Sequence, residues 1–314
     1  MIRYITNRLL SAVGVIILVS ILVFTIIRLI PGDPISILLG DNLTEDARVR
    51  LVEKWGLDQP VFIQYLRWAG RMAVGDFGAS IRTQDSVSSL LLDRIPATLS
   101  LAVISLAIAV LIGIPAGVIA AYRANTLTDG VAMLTALLGL CIPSFWLSLL
   151  LILLFSIKLH WLPVSGYVSP FTSISEWFSH IIMPSLALGA GLAASISRMT
   201  RSAMLDALNQ DYVRTARAKG LDERVTLFAH ALKNALLPII TVVGLQLGFL
   251  LGGAVVVEEV FAIPGIGRLL IFGISNRDYP LIQGVVMVFA VSFILINLMV
   301  DMLYSVFDPR IRYR

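Results

Sequence analysis

Charge is scarce in this chain: Asp, Glu, Lys and Arg together make up 14% of its 314 residues. Cysteine is scarcer still, with Cys141 alone, and the three histidines, His160, His180 and His230, lie far apart. A lone cysteine excludes an intramolecular disulfide and a cysteine metal cluster, and no HExxH-type pair is present to hold a catalytic zinc. No GxxxxGK[ST] stretch occurs, so the usual cradle for ATP is missing. The Ser/His pair, paired mid-membrane aspartates or metal motif of an intramembrane enzyme are also missing. The net charge is only +4, and no nucleic-acid partner is expected.

What is abundant is apolar surface. Hydrophobic residues make up 58% of the chain, and the mean hydropathy is +0.89. A water-soluble domain of this length cannot hide that much, so the bilayer must be its solvent. Residues 1–30 read as a short basic segment carrying Arg3 and Arg8, then a first membrane helix from Leu9 to Ile30. That run is too long for a signal-peptide core and ends in Arg28 and PGDP (31–34), so it is expected to be retained. Residues 31–96 form the largest polar segment, an expected extracytoplasmic loop punctuated by GLDQP (56–60), GDFG (75–78) and RIP (94–96). Short helices are expected at Glu45–Trp55 and Val61–Val74, with Trp55, Tyr65 and Trp68 suited to the membrane interface.

Five more apolar runs follow, at 97–121, 131–157, 181–197, 236–257 and 282–300. Each can cross a core of roughly 30 Å at about 1.5 Å per residue. Six crossings place both termini on one side. Thirteen Lys and Arg fall in the N-terminus, 122–130, 198–235 and the C-terminus, against three in 158–180 and 258–281. The positive-inside bias therefore makes both termini cytoplasmic. The middles of the runs hold almost no ionisable residue, whereas a coupled secondary transporter commonly keeps one there. A driving force from elsewhere is expected, with an ATPase-independent secondary transporter as the competing class.

Two features within the runs have alternative readings. Gly244, Gly248 and Gly252 recur at four-residue spacing, beside Gly253, and suit packing inside the bundle, a seam with a second membrane subunit, or a helix that slides against its neighbours. Gly113, Pro115 and Gly117, and separately Pro143, are expected to kink their helices. Glu258, Glu259 and Asp278 lie at the expected outer face. They can meet cargo or a docked protein, or serve as structural caps.

The most polar stretch between apolar runs is DYVRTARAKGLDERVTLFAHALKNALLP (211–238). Asp211 can cap a helix start and Gly220 can end one in the left-handed conformation, leaving about two turns between them. Tyr212, Val213 and Ala216 share one side, Arg214 and Arg217 another. Asp222 can cap a second helix with Val225, Phe228 and Leu232 at helical spacing, before Pro238 opens the next run. The stretch reads either as a two-helix protrusion that meets a partner or as a basic loop lying on anionic headgroups.

RTARAKG followed by HALKNALLP resembles the coupling loop of ABC importer permeases in the dipeptide/oligopeptide/nickel branch. Arg214 stands where the general motif usually has Glu, while Thr215, Ala216 and Gly220 fill other positions. The ordered set PGDP, GLDQP and GDFG, the segment VVEEVFAIPGIGRLL with NRDYP, and the ending DMLYSVFDPRIRY resemble the same family. The resemblance implies an all-α polytopic membrane protein of six transmembrane helices with the type I importer permease fold, in the bacterial inner membrane. The permease core is then 97–314, with its coupling loop at 198–235. A pore shared with a sister permease, two ATPase subunits beneath and an extracytoplasmic solute-binding protein are implied as partners. ATP and Mg are implied on the ATPases, with no cofactor in this chain. Arg214, Thr215, Ala216, Arg217 and Gly220 are the implied ATPase-coupling residues. Di- and oligopeptides or glutathione are the implied cargo, with nickel chelates as the alternative.

Overall fold

The computed structural model describes residues 2–29 and 58–307. PGDP, the 45–55 helix, the start of GLDQP and the DPRIRY ending therefore lie outside the described residues. Among the described residues, helices account for the architecture and the one β-type pairing is an isolated bridge between Ala79 and Ser86. The elements are α1 (Ile2–Leu29), α2 (Val61–Ala73), α3 (Val87–Tyr122), α4 (Leu127–Cys141) and α5 (Ser144–Leu151), which runs on as a π-helix through Ile152–Lys158. Then come α6 (Ile174–Leu208), α7 (Asp211–Ala218) and the single turn α8 (Glu223–Val225). A π-helical stretch, Thr226–Leu232, leads from α8 into α9 (Lys233–Val260), which is followed by α10 (Ile266–Ser275) and α11 (Tyr279–Phe307).

Five helices are long and apolar enough to cross a membrane, and a sixth crossing is completed if α4 and α5 count as one span. That pair is bent by 100° at Ile142–Pro143. Proline removes an amide donor and disfavours a helical residue before it, so the expected kink at Pro143 becomes a full break. At RIP the outcome is the reverse. Helix α3 begins at Val87 and runs straight through Pro96 for 36 residues, because surrounding helices can re-satisfy backbone freed by a proline within a membrane bundle.

Contacts divide the chain into two units, with the boundaries falling inside α3 and α11. Residues 97–267 and 295–314 form one unit, centred on α6. The most apolar window of α6 is 61% buried, against 17% for α1 and α11, which makes α6 the core helix. Its contact with α3 is made of small residues. A Cβ on Gly113 would lie 2.7 Å from the Ala193 carbonyl oxygen, and one on Gly117 only 2.5 Å from that of Ser197. These glycines thus serve close helix approach rather than the expected kink. Gly244 is pressed against Val300 and Gly253 approaches Leu188, whereas Gly252 faces open space. Of the stripe in α9, Gly244 is packed and Gly252 is bare, and the neighbouring Gly253 is packed.

The other unit comprises residues 1–96 and 268–294. Tyr65 and Trp68 of α2 set their rings 5.3 and 5.5 Å from Phe24 of α1. These aromatics, expected at the membrane interface, bind α2 to the first span near its end.

Candidate functional site

The segment joining α6 to α9 builds a short helix on a firm base. Val213 of α7 is buried in a cluster with Val118 and Ala121 from the end of α3, Met204 and Ala207 from the end of α6, and Leu227, Ala231 and Ile239 from the stretch leading into and opening α9, and Ala216 of α7 is buried as well. One short helix therefore rests on the ends of three spans. Its C-terminus closes with a Schellman motif. The Gly220 amide donates to the Arg217 carbonyl at 2.9 Å, and the Leu221 amide donates to the Ala216 carbonyl at 3.3 Å. That arrangement needs a left-handed residue, and Gly220 has φ +75°. The expectation for Gly220 holds, and its cause is local.

The helix start differs from the expectation. Gln210 is the capping residue, Asp211 is the first helical residue, and neither contributes a side-chain cap. Asp211 is nearly fully exposed and forms a loose ion pair with Arg214 at 3.7 Å. Its backbone carbonyl accepts a hydrogen bond from Thr215 Oγ1 at 2.9 Å. The second helix of the expected protrusion is also not separate. Beyond Asp222, which makes no side-chain cap, α8 continues without interruption through the π-helical stretch into α9, with Pro238 inside the helix.

The buried face of this segment is shifted from the one its pattern predicted. Thr226, Leu227 and Ala231 point inward, while Val225 and Phe228 are 44% and 57% exposed. Tyr212, expected on the same side of α7 as Val213, is exposed where Val213 is buried. Arg214, Thr215, Lys219 and Leu221 complete the outward surface, while Ala216 belongs to the packed base. Arg217 is tied inside the chain, its guanidinium donating to Glu223 at 2.6 and 3.2 Å. That ion pair clamps the end of α7 to the start of α8.

The outer-face candidates are placed differently from one another. Glu258 is fully buried. Thr98 Oγ1 donates to it at 2.6 Å and in turn accepts the Ile266 amide at 2.9 Å. Asp278 is also fully buried. It accepts from Ser80 Oγ and from the amides of Ile81 and Arg82, and its Oδ1 accepts the Leu281 amide in the first turn of α11. Both carboxylates are withdrawn into the protein in this structure, and Asp278 caps the first turn of α11. Only Glu259 of the three is exposed.

A further pair escaped the sequence. Arg201 of α6 donates to both carboxylate oxygens of Asp129 at 2.6 Å, and the Asn125 amide adds a third hydrogen bond at 3.0 Å. Both residues lie near the ends of apolar stretches, where charges are ordinary, and nothing in the sequence joins positions 72 apart. Among the described residues, no group of His, Cys, Asp and Glu is arranged to hold a metal ion.

A membrane bundle around α6, with a braced short helix between two of its spans, is the architecture of an importer's transmembrane subunit. Residues 113–313 match the family described as binding-protein-dependent transport system inner membrane component, and residues 1–102 match the N-terminal domain of such membrane components. The chain belongs to this family. It is a permease subunit of an ATP-binding cassette importer, a multi-pass inner-membrane protein and not an enzyme, and such subunits work with ATPase and binding-protein partners.

The chain is 42% identical over 310 residues to a probable peptide ABC transporter permease, y4tP, of Sinorhizobium fredii, covering 99% of each. It is 41% identical over 314 residues to the glutathione transport system permease GsiC of Escherichia coli K12, covering 100% of each. The fold is similar to that in an inward-facing structure of the MetNI methionine ABC transporter. The TM-score is 0.58 at 19% identity, covering 70% of this chain and 96% of that one.

Proposed function

We propose that this permease imports short peptides, of the di- or oligopeptide class that includes glutathione, and that α7 is the element through which ATPases drive it. The observation that carries the coupling role is the seating of Val213 on the ends of α3, α6 and α9. A helix fixed to three spans moves them together when pushed, as rigid-body gating requires. Its outward surface supplies what a partner groove needs: the cations Arg214 and Lys219 beside the exposed apolar side chains of Tyr212, Leu221, Val225 and Phe228. Apolar side chains left bare beside cations mark a protein contact more than a headgroup contact.

In this reading the termini and α7 are cytoplasmic, in keeping with the excess of Lys and Arg in those segments. Residues 97–314 form the permease core, and 31–96 lie outside the cell. The chain pairs with a sister permease, two ATPases dock on the pair, and a solute-binding protein delivers cargo. ATP and Mg²⁺ bind the ATPases and none binds here. The peptide class rests on relatives of near-equal identity named for peptide and glutathione transport.

Proteoliposomes decide the matter. Vesicles holding the full assembly, with ATP inside and loaded binding protein outside, are expected to accumulate labelled di- to pentapeptides. Vesicles holding this chain alone are expected to accumulate none, and uptake without any ATPase would overturn the reading.

A further inference from the structure

Residues 123–126 turn the chain from α3 into α4, on the side of the bundle that carries α7. The turn is firmly held. The Arg123 carbonyl accepts the Thr126 amide at 3.2 Å and the Thr126 hydroxyl at 2.6 Å. Asn125 takes a left-handed φ of +63°, which asparagine tolerates better than most residues. Its amide donates to Asp129, whose carboxylate is gripped in turn by Arg201 of α6. A short connection is thus tied through one largely buried ion pair to the core helix.

The bracing does not explain what the turn presents outward. Arg123 is exposed, and its guanidinium makes no hydrogen bond or ion pair among the described residues. Tyr122 and Leu127, on either side of the turn, are 51% and 84% exposed. A free cation beside bare apolar side chains repeats the surface of α7, where Arg214 and Lys219 stand with Tyr212 and Leu221. The two surfaces adjoin. Val118 and Ala121 at the end of α3 pack in the cluster that holds Val213, and Tyr122 stands close enough to Arg217 to act on its charge. A partner that covers one meets the other, and the charge it must complement is positive on both.

We propose that the turn between α3 and α4 is a second docking point for the ATPase that engages α7, with Arg123 meeting an acidic side chain of that subunit and Tyr122 and Leu127 covered by it. The proposal rests on the reading of α7 as the coupling helix and extends the contact beyond it. A partner seated on the turn bears on the junction of α3 and α4. Through Asn125, Asp129 and Arg201 it also bears on α6, so it reaches α4 as well as the spans beneath α7. Apolar side chains as bare as Leu127, next to a cation and continuous with a second such surface, suit a protein groove.

The test uses the complete assembly of this chain, its sister permease, the ATPases and the binding protein in lipid nanodiscs. A photocrosslinking amino acid is placed at position 123, at 127 or, to report on α7, at 221. Capture of an ATPase subunit, identified by mass spectrometry, is expected from all three. Capture from 221 but from neither 123 nor 127 overturns the proposal and leaves the coupling helix standing, whereas capture from none of the three overturns both. Adducts of 123 and 127 with phospholipid alone, or with the sister permease alone, also overturn it. Arg123→Glu changes an exposed side chain with no partner in the fold. It should weaken binding of the ATPases to the solubilised permease pair about ten-fold, the weight of one charge-assisted contact. An unchanged affinity overturns the proposal.

Discussion

Gly265 lies against Glu258 so closely that a Cβ on the glycine would sit 2.2 Å from the carboxylate. Glu258 is completely buried, and its carboxylate receives the hydroxyl of Thr98. The PGIG turn is thereby folded over the acidic group, with Thr98 joining the two through the Ile266 amide. Gly265→Ala is expected to destabilise the protein by about 1–3 kcal/mol, the usual range for overpacking. Thermal unfolding of the detergent-solubilised chain measures it, and an unchanged midpoint would mean the turn is not held by this contact. Glu258→Gln keeps the shape and should be milder than Glu258→Ala, which strands the Thr98 hydroxyl.

Small residues in the spans are expected to split into two groups. Gly117→Ala places a methyl 2.5 Å from the Ser197 carbonyl oxygen, whereas Gly252→Ala meets nothing within 4 Å. The first should lower the unfolding midpoint and the second should leave it unchanged or slightly raised, since alanine is the better helix former. Equal effects would contradict the observed approach of α3 to α6.

The Asp129–Arg201 pair is largely withdrawn from solvent, with side chains 6% and 26% exposed. Asp129→Ala leaves the guanidinium without its partner and is expected to cost about 3 kcal/mol, the lower end for a buried pair. Adding Arg201→Met should recover much of that loss. A double-mutant cycle that gives additive effects would show the two side chains to be uncoupled.

Gly220→Val should impair coupling more than folding. No atom crowds the position, but its φ of +75° is strained for a β-branched side chain by about 1–2 kcal/mol. The Schellman closure loosens, α7 loses its fixed end, and peptide uptake in the full assembly should fall while ATPase activity loses its response to loaded binding protein. Gly220→Asn, which tolerates the left-handed region, should retain most transport. Normal coupling in the valine variant would argue against a stiff lever.

Asp76 is held below the usual carboxylate range, chiefly by the hydrogen bond from Arg71 and then by the Gly78 amide. A carboxyl depressed in the folded state stabilises its turn above the ordinary Asp range, and the effect is lost as pH falls through the depressed value. The protection of the Gly78 amide, measured against its intrinsic exchange rate at each pH, should therefore fall in acid. In Asp76→Asn that protection should be low already at neutral pH and little altered by acid. Both side chains are well exposed, so global stability should barely change.

Local chemistry carried much of this architecture into the sequence. Runs such as 97–121 and 282–300 announce spans because a helix must hide its backbone from lipid over a fixed thickness. Gly220 marks a helix end because the left-handed closure depends on that one residue, whereas the end of α9 turns on a left-handed Ala262 that no glycine announces. The apolar periodicity could not say which side of a helix is inside. Both faces of this segment carry apolar side chains, so Val225 and Phe228 matched the pattern while Leu227 and Ala231 took the buried places. The carboxylates show the same limit. Glu258 meets Thr98 across 160 residues and Asp278 meets Ser80 across 198. Whether an acidic side chain is a rim charge or a buried cap is fixed by what folds over it, and only the assembled tertiary structure brings those groups together.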